Sequence, residues 1–197
     1  MADTQTVAKN DTENVSSGKG VKGGYWFSAP LGTTIPTGFE ALDAAFVNLG
    51  FVTEDGITRA LDEDSDDVVD MNGDTIAMLS SSKKETFALT MAEVKADTMK
   101  ERWGHENVTV DSNGIIKAVS NSDERSNRVY VGDFVLNGGR RWRTIVQNGK
   151  VTEVGEMLFA SSDIVGIEVT VTAFPGADGN SVIDLVGKPE AETVQEA

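Results

Sequence analysis

The chain has 197 residues, no cysteine, and 32 acidic against 17 basic side chains, for a formal charge of −15. That length suits one domain with extended arms and a real core, and the lack of cysteine excludes disulfides and thiol chemistry. An acidic surface of this size disfavours specific DNA or RNA binding, and no run reaches the roughly 18 apolar residues of a membrane span.

Residues 1–20 are polar and carry Gly18 and Gly20 near their end, so a flexible N-terminal arm is expected there. MADTQTVAKN has no apolar core of signal-peptide length. The next segment, GYWFSA, carries three consecutive aromatics and reads as a strand that Pro30 ends.

Phe39, Leu42, Phe46 and Leu49 then recur at spacings of three, four and three, which predicts a helix over about 38–49. Thr37 and Glu40 form a capping-box pattern at its start, and Gly50 suits its end. A short strand over 49–53 leads into residues 54–70, which read as a long acidic loop. Glu54 to Asp74 holds nine acids against Arg59 alone.

The remainder is β-rich with regular punctuation. Asn72-Gly73, Asn113-Gly114, Asn137-Gly138, Asn148-Gly149 and Asp178-Gly179 each sit between apolar runs and predict hairpin turns. The strands expected between them are 75–79, 84–91, 107–110, 115–119, 128–136, 140–147, 150–159, 164–174 and 181–186. A second short helix is expected over about 95–103, ending at Gly104. The predicted fold is therefore mainly β: an antiparallel β-sandwich or partly closed barrel, flanked by the 38–49 helix. It forms a single domain over 21–187, and the polar residues 188–197 form a loose C-terminal tail.

Catalytic and metal motifs are missing. His105, the only histidine, has no other nitrogen or sulfur ligands to join it in a metal site and reads as a turn residue. Asp62, Asp64 and Asp66 open like an EF-hand, but the sixth and twelfth positions are Asp67 and Gly73, so the signature fails twice. There is no G-x-S-x-G and no P-loop. No cofactor, metal or enzymatic activity is expected.

The uneven charge points instead to association between copies, with a basic patch meeting an acidic one. The candidate interface residues are Glu54, Asp55, Asp62, Asp64, Asp66 and Asp67 on the acidic side, and Arg140, Arg141, Arg143 and Lys150 on the basic side. A second reading is a soluble binding module for carbohydrate or a protein ligand, using Tyr25, Trp26, Trp103 and Trp142.

One further signal is a resemblance. Its most specific parts are APLGT at 29–33, LGFVTEDG at 49–56 and the NGKV run at 148–151. With SSKKETFALTMAEV, ERWGHENV and the stretch from Gly139 to Asn180, the sequence resembles the major tail proteins of long-tailed (siphovirus-type) bacteriophages, especially those of actinobacteria. The likeness spans about Tyr25 to Val186. It implies a structural tail-tube subunit with a β-sandwich core, located in the virion tail and assembled in the host cytoplasm. It also implies hexameric rings stacked around a tape-measure protein, with tail-end proteins as further partners and DNA only as passing cargo. These shared motifs are structural and bring no catalytic residues with them.

Overall fold

The computed structural model describes residues 10–189. The outermost parts of both expected tails, 1–9 and 190–197, lie outside the described residues. Of the expected arm, residues 10–20 include a 3-10 turn at Thr12–Asn14 and a short strand β1 (Lys19–Gly20). The other strands are β2 (Trp26–Pro30), β3 (Val47–Asn48), β4 (Val52–Val69), β5 (Thr75–Met91), β6 (Val108–Val110) and β7 (Ile116–Ala118). They are followed by β8 (Arg128–Val135), β9 (Arg141–Val154), β10 (Ile167–Phe174) and β11 (Val182–Gly187). One α-helix, α1, spans Ala96–Trp103.

All pairings are antiparallel. The main sheet runs β3-β2-β8-β9-β10-β5-β4, with β1 added to β8 and β11 to β9, and it does not close into a barrel. The long strand β9 joins its two halves. Its first residues lie between β8 and β11, and its later ones pass to β10. The core collects on the inner face, where Trp26, Leu49, Phe87, Met91, Tyr130, Ile167 and Val171 are nearly or fully buried. The Trp26 and Tyr130 rings stack with centroids 6.0 Å apart, and Trp26 meets Phe87 at 5.8 Å. Such aromatic contacts add to the area that these side chains bury.

The short helix predicted near 95–103 is present. Thr98 caps it by accepting from the Lys95 amide at 3.2 Å, and Gly104, at φ +96°, ends it by donating to the Lys100 carbonyl. The helix predicted over 38–49 does not form. Its cap motif does: the Thr37 amide donates to Glu40 Oε1 at 2.7 Å. The following turns are lost to stronger partners. The carbonyls of Gly38 and Glu40 accept from Arg143 Nη1 at 2.9 and 2.8 Å, so neither bonds along a helix. Val47–Asn48 pairs with β2, and the Leu49 amide donates to the Trp26 carbonyl. A lone 12-residue helix is marginal in water, and sheet pairing here outweighs it.

The acidic loop expected over 54–70 is likewise a strand. Residues 52–69 pair with β5 in one long hairpin, closed by the Asn72-Gly73 turn with Gly73 at φ +89°. Strand propensity is low for Asp and Glu, which hides the strand in the sequence, but exposed backbone still pairs when a turn fixes its register. Asn113-Gly114 and Asn137-Gly138 join β6–β7 and β8–β9 as predicted.

Asn148-Gly149 is not a turn but the middle of β9, which merges two strands expected on either side of it. Glycine is required there by close approach: a Cβ at 149 would lie 2.7 Å from the Tyr130 ring and 2.9 Å from Val171. Asp178-Gly179 does turn, but between β10 and β11, which follow one another along β9 rather than pairing with each other.

Candidate assembly surfaces

The feature that the core does not account for is the outer half of the β4–β5 hairpin. β10 runs beside β5 from Met91 only as far as Glu85, opposite Ala173. Beyond that point residues 62–84 pair with each other alone. Both faces of this arm are open to solvent, with only Val68 and Asp70 half-buried. At about 3.3 Å per residue, the arm stands roughly 30 Å out from the body.

Its root is clamped. Arg59 holds buried Glu85 at 2.5 Å and Asp184 of β11 at 2.6 Å, and Asp184 also accepts from Trp142 Nε1 and Thr144 Oγ1. Its tip is rigid. Asp70 accepts from the amides of Asn72 (2.8 Å) and Asp74 (2.9 Å), and these bonds hold its carboxyl below the ordinary range.

The predicted interface residues fall in five places. Asp62, Asp64, Asp66 and Asp67 lie along the arm, opposite Lys84, Ser82, Leu79 and Met78. Glu54 and Asp55 are exposed on a wide bulge at the start of β4, where the ladder skips from Val52 to Ile57. Arg140 and Arg141 sit at the β8–β9 turn, with Arg140 bonded to Ser16 Oγ at 2.8 Å. Lys150 lies mid-strand and pairs with exposed Glu124 at 2.7 Å. Arg143 differs from the rest: it is buried, chelating Asp133 through two bonds of 2.7 Å. Among the described residues, none of these acids meets any of these bases within the chain.

A second polar cluster lies under α1. Glu101, 2% exposed, accepts from Ser28 Oγ at 2.6 Å and Tyr130 Oη at 2.7 Å, and lies 3.2 Å from His105 Nε2. Arg128 Nε donates to Ser28 Oγ at 2.9 Å. The residue types suggest a hydrolase, but the serine hydroxyl is bonded to the carboxylate and not to the imidazole, so no base-to-nucleophile relay is built. The cluster fastens α1 to β2 and β8.

Burial alone would raise the Glu101 carboxyl. The hydrogen bond and charge of His105, with Ser28 and Tyr130, outweigh burial and hold the carboxyl below its ordinary 4.5. Burial, followed by the Glu101 charge, drives the Tyr130 phenol well above its usual range.

A carboxyl lowered by folding adds stability above its unfolded value, and that stability is lost as pH falls through the folded value. Glu101→Gln is therefore expected to destabilise most at neutral pH, with the gap to the parent narrowing below about pH 4.5. Urea midpoints at several pH values check this, and a gap constant with pH would contradict it.

Of the aromatics proposed for a binding module, Tyr25, Trp26 and Trp142 border one groove and Trp103 lies apart from it. Trp26 is 1% exposed in the core, and the Trp142 indole is tied to Asp184. What remains at the surface is a projecting arm, a basic turn and open sheet edges, all suited to contacts between copies.

The sequence profile of the phage tail tube proteins matches residues 7–194. The chain belongs to this family. As a tail tube subunit it forms the tube of the virion tail, a structural role without enzymatic activity. Membership in a tube family implies self-polymerisation. No curated protein sequence matches the subunit. Among solved structures, it is similar to the cryo-EM structure of the anti-feeding prophage cap, described as the tube-terminating cap. The identity is 11% and the TM-score 0.46, over 95% of this chain and 100% of that one.

The tube subunit's acidic segment is visible in its sequence, but the strand it forms and the exposed tip are not. Asn72-Gly73, flanked by Val68-Val69 and by Ile76, was the available signal: a hairpin turn requires a strand on each side of it.

Proposed function

We propose that this tail tube subunit assembles into hexameric rings that stack into the tube of a long-tailed phage, of the type that infects actinobacteria. A tape-measure protein fills the tube during assembly, tail-end proteins cap it, and DNA later passes through as cargo. The observation that carries this reading is the arm from Asp62 to Lys84. A two-stranded hairpin alone is marginal in water, and one this long with two wet faces calls for a neighbour.

The proposed contact uses Asp62, Asp64, Asp66 and Asp67 of one copy, facing Arg140, Arg141 and Lys150 of the next. Glu54 and Asp55, at the base of the arm, are assigned to a separate contact between copies. Arg143 is left out of this contact because its guanidinium is engaged inside the chain. Six copies carry a formal charge of about −90 (six times −15), which repels phosphates within about 8 Å at physiological salt. A channel lined by part of that charge would let DNA pass without sticking.

The test is electron microscopy of the purified chain at rising concentration, alone and with tail-assembly partners. Tubes with six-fold end views are expected. A chain that stays monomeric under all these conditions overturns polymerisation, and tubes with another rotational symmetry overturn the hexamer.

A further inference from the structure

Two buried polar atoms among the described residues have no hydrogen-bond partner: Trp26 Nε1 and Thr53 Oγ1. Both residues line the same groove, about 690 Å³ in volume, between the arm residues 16–20 and the bulged start of β4. Its walls include Tyr25, Val52, Ile57, Phe134 and Leu136. Both atoms are shielded from solvent within those walls, and the groove itself, largely apolar, suits an occupant that brings apolar surface.

We infer that the occupant is the hairpin tip of a second copy, with Met71 seated in the groove. This rests on the tube reading above and names the two surfaces that meet. Met71 is 98% exposed, more than any other large apolar side chain described, and it stands on the turn that Asp70 locks. An unbranched thioether fits an irregular aromatic groove, and a preformed turn loses little freedom on docking.

Charge agrees with this choice. Asp66, Asp67, Asp70 and Asp74 surround the tip. Arg140, bonded to Ser16 of the groove wall, supplies a basic side and forms no ion pair among the described residues. Glu54 and Asp55 lie on the opposite wall and would turn the tip's acids toward the basic side.

Geometry agrees as well. Ile57 in the groove and Val69 near the tip are separated along one strand by about 40 Å, so a tip cannot reach its own groove. A contact between different patches of two copies is heterologous. Such a contact closes into a ring where the rotation between copies closes, and builds a filament where it steps along an axis.

Because the chain has no cysteine, thiols can be placed without background. Assembled M71C/L136C protein is treated with a short thiol-to-thiol crosslinker and compared with M71C/V110C, whose second site lies on β6. A ladder of chain multiples is expected from the first and not from the second. Met71→Glu should raise the concentration needed for tubes by at least about tenfold, with Met71→Leu close to the parent. Tubes that form without the ladder, an equal ladder from V110C, or normal assembly of M71E would each overturn the groove contact while leaving the tube reading intact. If the parent chain makes no tubes, the tube reading fails, and this contact falls with it.

Discussion

Excising residues 62–84 and joining Leu61 to Glu85 through an Asn-Gly turn is expected to leave a folded monomer that makes no tubes. The removed residues touch the body nowhere in the β ladder, since β10 stops opposite Glu85 and the Arg59 clamp sits on the retained side. Only Val68 and Asp70 among them are even half-buried. Surface changes away from packed features usually shift stability by about 0.5 kcal/mol or less. Thermal unfolding should therefore be nearly unchanged while assembly is abolished. Scanning calorimetry and microscopy on one preparation separate the two effects. A shortened chain that still polymerises would show that the arm is dispensable, and one that unfolds would show that it supports the body.

This separation between body and arm also explains what could be read from sequence. Short-range signals were legible wherever they stayed in control. Asn113-Gly114 and Asn137-Gly138 formed their turns, and Gly104 ended α1, because each needs positive φ only at glycine. Phe39 to Leu49 carried an equally regular pattern and did not become helical. The competing partner was Arg143, more than 100 residues away, and nothing local announces that its guanidinium will take two carbonyls there. Gly149 failed in a related way: it makes room for the Tyr130 ring, a demand set by tertiary packing. The acidic strand was hidden because its charges reflect what surrounds it, while its conformation is set by β5. The groove was not legible at all, since Trp26, Thr53 and Leu136 become neighbours only after β2 is laid on β8 and β4 on β5.

Arg143 also gives the largest expected loss of stability. Its Nε and Nη2 bond the two oxygens of Asp133 at 2.7 Å each, and Nη1 holds the 38–40 segment. Both side chains are at most 9% exposed. Removing one partner strands a buried charge, so Asp133→Ala should cost about 3–5 kcal/mol, because the guanidinium keeps its desolvation cost without its carboxylate. For a chain of this size that corresponds to a fall of roughly 6–20 °C in melting temperature.

Replacing both members with apolar side chains, Asp133→Leu with Arg143→Met, removes both buried charges together. It should restore most of that loss, although the Gly38 and Glu40 carbonyls then need other donors. The double variant also distinguishes the two roles considered for Arg143. If the residue only pins the 38–40 segment, the stable double variant still makes tubes. If it is needed between copies, the double variant folds and stays monomeric. The buried geometry favours the first outcome, so the double variant is expected to assemble.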